Sequence, residues 1–396
     1  MDFSLTQEQT LIRDSALRFV ADEYGFAART ALAQSTDGFS REHWKTFAEL
    51  GWLGIGLPEE RGGFGGTPVE TMLLMEAFGT GLVLEPFVSS VVLGGGALAH
   101  GASSSEHFDL LRAMVEGDVL LTLAYAEPDG RFDPAAVVTR ARSDGADLVI
   151  TGKKVAVPFG AAADHFVVSL RTGDSNGDSK GIALAVIDAR SGGIARNDYT
   201  TIDGLRASDI TFDGVRVPRA ALLDAPGLEL LERVLDDGIA AICAEAVGVM
   251  ATMQRVTVDY LKTRKQFGVS IGSFQALQHR AVDMLIQLEL ARSMEIFAAM
   301  MLRSAGSTAE RRRALSAAKV QVSRSGRYVG QQAIQLHGAI GMTDEYMVGH
   351  YFKRMSAIEL SFGDVDYHLK RYVALTDARP RVDLPSAGMT QTAEIL

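Results

Sequence analysis

The stretch "AVVTRARSDGADLVITGKKVAV", residues 136–157, decides how this chain is organised. β-Branched residues flank "SDGA" (143–146) on both sides, the pattern of two strands joined by a tight turn. The same texture returns in "HFVVSL" (165–170), "GIALAVID" (181–188) and "ITFDGVRVP" (210–218), while the polar tract "RTGDSNGDSKG" (171–181) reads as a loop because nothing in it could be buried. A β domain is therefore expected between about 118 and 224.

On both sides of it the period lengthens to that of helices. Upstream, "SLTQEQTLIRDSALRFVADEY" offers a Ser or Thr cap followed by Leu11, Ile12, Leu17 and Phe19. "REHWKTFAELGWLGI" and "PVETMLLMEAFG" continue in that style around the turn "ERGGFGG" (60–66). That turn lacks the G-x-G-x-x-G spacing and a leading strand, so it reads as a connection between helices. Downstream, Ser273 is expected to cap a helix carrying Leu277, Ala281, Met284, Leu288, Ala291, Met294, Ala298 and Met301 at intervals of three or four. Leu315, Ala318, Val322, Val329, Ala333 and Leu336 form a second such stripe, and two long stripes suit a helical bundle. The fold class is α+β: an N-terminal helical domain (1–117), a middle β domain (118–224), a C-terminal bundle (225–380) and a mobile tail (381–396).

Composition narrows the function. With 396 residues, 47% of them hydrophobic, the chain can bury a sizeable core, and a formal charge of -10 argues against a nucleic-acid surface. Cys243, the one cysteine, lies in an apolar run and reads as a small core residue. The start carries acids and no signal-peptide pattern, and "FVSSVVLGGGALAHG" (87–101) falls short of the roughly 20 apolar residues of a membrane span. A cytoplasmic protein without a membrane partner is expected.

HExxH, GxSxG, GxxxxGKS and CxxC are absent, and the eight histidines lack metal-ligand spacing. Two segments stand out. In "YLKTRKQFGVSIGSFQALQHR" (260–280) a helix ends in Arg264 and Phe267, and a new helix follows with Gln275 in its first turn, an arrangement able to hold a pyrophosphate and a flat ring. In "QLHGAIGMTDEY" (335–346) glycines follow a helix and allow backbone to approach a ligand. On composition alone both read first as ordinary helix ends.

Taken in order, "LTQEQ", "GWLGIGLPEERGGFGG", "AEP", "GKK", "ITFDGVRVP", "RKQFG" with "FQALQH", and "QLHGAIGMTDEY" resemble the acyl-CoA dehydrogenase family over nearly the whole chain. "PVETMLLMEAFG" and "GHYFKRM…FGD" are most similar to the small subunit of pimeloyl-CoA dehydrogenase. The resemblance implies FAD-dependent α,β-dehydrogenation of an acyl-CoA, medium-chain or dicarboxylyl. It implies an electron-transfer flavoprotein as acceptor, and a homotetramer or a heterotetramer with a larger homologous subunit. It implies Arg264, Phe267 and Gln275 for FAD, with Gln335, Gly338 and Gly341 supplied by the neighbouring subunit, and Asp236 toward the pantetheine arm.

The family's reaction needs a carboxylate to take the α-proton in a dry pocket. Three departures bear on it. Where the family has aromatic-Glu-Gly, this chain reads Phe362, Gly363, Asp364; where some members place the base in an earlier helix, it has Gly238 after Asp236 and Asp237. Where the family has a Trp and a hydroxyl residue on the flavin, it has Ala156 and Pro158. Asp364 is the candidate base. The alternatives are a base supplied by a partner subunit, and binding of acyl-CoA or flavin without turnover.

Overall fold

The computed structural model describes residues 4–172, 181–304 and 306–377. The tract 173–180 and the tail 381–396 lie outside the described residues.

The N-terminal layer holds α1 (Gln7–Glu23), α2 (Phe26–Ala33), α3 (Arg41–Glu49), α4 (Pro68–Gly81), α5 (Gly96–Gly101) and α6 (Ser105–Val115), with a π-helical stretch, Val88–Gly95, running into α5. Local chemistry starts these helices. Thr6 and Gln9 form a reciprocal capping box on α1; Thr67 and Glu70 do the same for α4, whose first residue is Pro68. Phe47, Trp52 and Phe78 pack ring to ring, with Phe47 stacked on Phe78 at 5.1 Å. The Phe87–Gly101 run, too short to span a membrane, is core instead, and no helix among the described residues is long and apolar enough to cross one.

The middle layer is a curled sheet of β1 (Leu121–Ala124), β2 (Arg140–Asp144), β3 (Asp147–Pro158), β4 (His165–Thr172), β5 (Ile182–Asp188), β6 (Ile194–Thr200) and β7 (Arg206–Pro218), ordered β1-β4-β2-β3-β7-β6 with β5 on β4. The turn at "SDGA" joins β2 to β3 as the sequence predicts, with Gly145 at positive φ. The register of β3 on β7 slips between Lys154 and Val157, and this bulge lets Ala156 take a φ of 51°. Two of the sequence motifs turn out to be one interaction: Lys154 of "GKK", fully buried, donates to Glu127 of "AEP" at 2.6 Å and to Ser169 at 2.9 Å.

The C-terminal layer comprises α7 (Gly227–Thr263), the short hairpin β8 (Lys265–Gln266) and β9 (Val269–Ser270), α8 (Gln275–Arg303), α9 (Thr308–His337), α10 (Met347–Leu360) and α11 (Val365–Asp377). The stripes predicted on α8 and α9 pack on α7, with Met284, Ala291, Leu315 and Ala333 all in one core beside Cys243. One expectation fails: α8 begins at Gln275 with Phe274 at its N-cap, because Ser273 belongs to a preceding 3₁₀ turn and donates its hydroxyl to Ser270 O at 2.7 Å. The N- and C-terminal layers are joined by a glycine-to-backbone contact. A Cβ on Gly79 of α4 would lie 2.1 Å from Glu245 O, and one on Gly248 of α7 would lie 2.0 Å from Glu76 O, so the two helices cross at a distance only glycine permits.

Candidate functional site

The turn between α10 and α11 carries the candidate base. It is held rigidly. The chain leaves α10 through Phe362 at φ 57° and Gly363 at φ 117°, and an aromatic residue in that region needs support from its surroundings. The support comes from beneath: Lys319 of α9, wholly buried, donates to Glu359 O and to Gly363 O, both at 2.9 Å. Burial pushes the Lys319 ammonium down to about 8, so it remains charged at neutral pH. His368, which burial and then the nearby Lys319 and Arg371 charges push down to about 3, is neutral and bonds Phe362 O through Nε2 at 3.1 Å. Asp364 itself caps α11, with Oδ1 accepting from Tyr367 N at 2.8 Å.

Phe362 projects over α7. A Cβ on Gly238 would stand 3.3 Å from its ring and 2.9 Å from Leu93, so the glycine is the seat for the ring. The two places at which the family pattern would put a base are therefore neighbours in space, and neither holds a carboxylate. Between them and the edge of β3 lies a cleft of about 120 Å³ lined by Phe87, Ser89, Pro158, Ile242 and Phe362.

The acids that do line this cleft are engaged. Glu85 accepts from the Tyr24 hydroxyl and from Ser40 N at 3.2 Å, and lies 3.4 Å from His43. The hydrogen bond to Glu85 raises the His43 pKa, while burial and the Glu85 charge raise that of Tyr24. Glu245 forms a two-pronged pair with Arg354 at 2.6 and 2.7 Å, and Arg354 reaches Asp203 at 2.7 Å. Although burial lowers the Arg354 pKa, its two carboxylate partners hold it above the usual arginine value. Away from the cleft lining, the fully buried Asp236 accepts from Arg371 at 2.8 Å through Oδ1, while its Oδ2 has Arg311 and Arg312 at 3.6 Å but no hydrogen bond among the described residues.

At the β3 edge, Ala156 N donates to Asp209 at 3.3 Å, and the Thr122 hydroxyl donates to Pro158 O at 2.7 Å. Pro158 has no N–H of its own. Phe132, beyond β1, meets Tyr367 of α11 at 5.7 Å, so aromatic rings bridge sheet and bundle beside the turn.

The other predicted residues gather at the far end of the bundle. Arg264 ends α7 and accepts from Ile271 N at 2.8 Å; Phe267 is 92% exposed, edge-on to Phe274; Gln275 opens α8. Gln335 and Gly338 are exposed at the end of α9, with Gly341 buried in the following turn. His337 stacks on Tyr260 at 4.6 Å, which brings the ends of α9 and α7 together in one chain. Sequence reasoning missed Lys319 and His368. Lys319 leaves a readable trace, a lone cation inside the apolar run "ALSAAKVQV".

Comparison with known proteins agrees with this layering. Family models described as the N-terminal, middle and C-terminal domains of acyl-CoA dehydrogenase match residues 6–118, 122–215 and 226–373. The probable acyl-CoA dehydrogenase YngJ of Bacillus subtilis is 30% identical over 373 residues, covering 92% of this chain and 96% of that one. Among solved structures, the ChsE4-ChsE5 complex from Mycobacterium tuberculosis superposes with a TM-score of 0.86 at 25% identity, over 96% of this chain and 100% of that one. The Tcur3481-Tcur3483 steroid ACAD G363A variant does so at 0.83 and 28%, over 94% and 98%.

Proposed function

The chain belongs to the acyl-CoA dehydrogenase family, and from that premise we propose that it works in the FAD-dependent α,β-dehydrogenation of an acyl-CoA thioester as one subunit of an oligomer. The observation that carries this reading is the bundle end, where Arg264, Phe267 and Gln275 stand exposed beside the glycine turn that follows α9. The guanidinium of Arg264, which has no hydrogen bond among the described residues, and the bare Phe267 ring suit the pyrophosphate and adenine of FAD. Bound there, FAD supplies the acceptor for the hydride leaving the β-carbon. At the β3 edge the fit is poorer, since Ala156 N is engaged by Asp209 and Pro158 has no donor for the flavin ring.

Asp364 is the acid of the α10–α11 turn; its Oδ1 accepts from Tyr367 N, which leaves Oδ2 as the oxygen to act as base. A second reading is favoured by the clamps: Lys319 and His368 hold the turn where it is, so a homologous partner subunit supplies the base. The similarity to a complex of two differently named chains supports that heteromer. Medium-chain and dicarboxylyl thioesters, including pimeloyl-CoA, are the substrates to try. Purified chain should carry flavin and bleach anaerobically with one of them. Bleaching that vanishes in Asp364→Asn supports the shifted base; bleaching that appears only with a homologous subunit supports the heteromer. A colourless chain that stays inert with that subunit refutes both.

A further inference from the structure

Across α7 from the cleft lies a larger cavity, of about 220 Å³. Asp237, Ala240 and Ala241 of α7 face it, whereas Ile242 and Glu245 face the cleft; Val91 and Val92 of the π-helical stretch line the cavity, whereas Ser89 and Leu93 line the cleft. The two spaces are thus separate sides of one helix contact. The cavity walls are apolar for most of their extent, including Leu57 and Met72 from the N-terminal layer and Leu302 from α8.

Into this space projects Glu295 of α8. It is 2% exposed, and among the described residues neither of its carboxyl oxygens has a hydrogen-bond partner. The nearby cation is already taken, because Arg292 pairs with Glu76. Leaving a buried polar group unpaired costs about 1–3 kcal/mol, so a carboxyl retained in this state calls for an occupant. Burial, and then the Glu76 charge, raise the Glu295 pKa well above the usual carboxyl value and so favour the protonated form, which can both donate and accept. At the cavity mouth stand His100, pushed down to about 4 by burial and so neutral, and Arg233. These two residues also line an adjoining depression of about 500 Å³ that carries Arg311 and Arg312. A largely apolar space that carries the unpaired Glu295 carboxyl, with Asp237 and the Arg233 cation also on its lining, has the composition of a small-molecule site.

We propose that this cavity is a second ligand site, which takes a short aliphatic carboxylate bearing a hydroxyl or carbonyl at its far end. The far group meets the Glu295 carboxyl, the aliphatic body lies along the apolar walls, and the carboxylate stays at Arg233 in the mouth. Nothing in this arrangement depends on dehydrogenase turnover.

Calorimetric titration of the full chain with 6-hydroxyhexanoate and with hexanoate tests it. The hydroxylated probe should bind at least about tenfold more tightly, equivalent to about 1.4 kcal/mol. Glu295→Gln keeps a neutral donor and acceptor on the same frame and should retain that preference within about threefold. Glu295→Leu should bind both probes alike, and Arg233→Gln should weaken both by a common factor; thermal melts establish that each variant is folded. Equal affinity of the native chain for the two probes, a hydroxyl preference that survives Glu295→Leu, or no binding of either probe overturns the proposal.

Discussion

The cleft under Phe362 and the cavity that ends at Glu295 lie on two sides of α7, yet they treat buried acids in opposite ways. In the cleft each carboxylate is matched: Glu85 by Tyr24, Ser40 and His43, Glu245 by Arg354. In the cavity neither Glu295 oxygen has a hydrogen-bond partner among the described residues. Satisfied buried networks make a region rigid and specific, whereas an unsatisfied group is a standing penalty that a ligand can relieve. The difference teaches that the acids of the cleft belong to a fixed frame, whereas Glu295 is left free to meet a solute in the cavity.

The contrast can be broken by experiment. The largest effect is expected from Arg354→Leu, which strands Glu245 and Asp203 in the interior and should lower unfolding free energy in urea by about 3–5 kcal/mol. A loss below about 1 kcal/mol would mean that the cleft network is no frame at all. Lys319→Met should follow at about 2–4 kcal/mol, since it leaves Glu359 O and Gly363 O without their donor.

Across α7 the sign should reverse. Glu295→Leu replaces an unpaired acid with an apolar side chain and should raise stability by about 1–2 kcal/mol at pH 7. Asp237→Asn sharpens the comparison through pH. Burial, opposed by Arg233, raises Asp237 to about 7, against about 3.9 for an unfolded aspartate. Between those values the folded state holds the extra proton, so the native chain should lose stability as pH rises from about 4 to about 7. The Asn variant should lack that part of the slope, which urea midpoints at pH 5 and pH 8 would reveal. The smallest effect belongs to Arg264→Ala, which should change stability by less than about 0.5 kcal/mol while reducing bound flavin, because Arg264 is exposed.

Much of the architecture could be read in advance. The Ser or Thr cap before the first helix, the alternation around "SDGA" and the three-to-four spacing from Leu277 to Met301 are local signals, and each produced the element it predicts. The boundary at Ser273 was misread because a hydroxyl before a helix can satisfy a turn as readily as a helix end. The site was legible only as a set of places. "FGD" marked the turn, but the clamp on it comes from Lys319 and His368, which lie 44 and 5 residues from Gly363 and meet it only after α9 and α11 have packed.

By itself the sequence determined the three layers, since helix and strand periods are properties of neighbours along the chain. It also determined that the turn at Phe362 lacks a glutamate and that residue 238 has no side chain. Tertiary structure alone decided which buried acids are satisfied. Asp236, Glu245 and Glu295 are all acids on long helices, and nothing in the chain order says that among the described residues the first finds three arginines, the second one, and the third none. The physical reason is that an ion pair or hydrogen bond is a matter of a few ångströms between segments distant in sequence, so it exists only once the layers have closed.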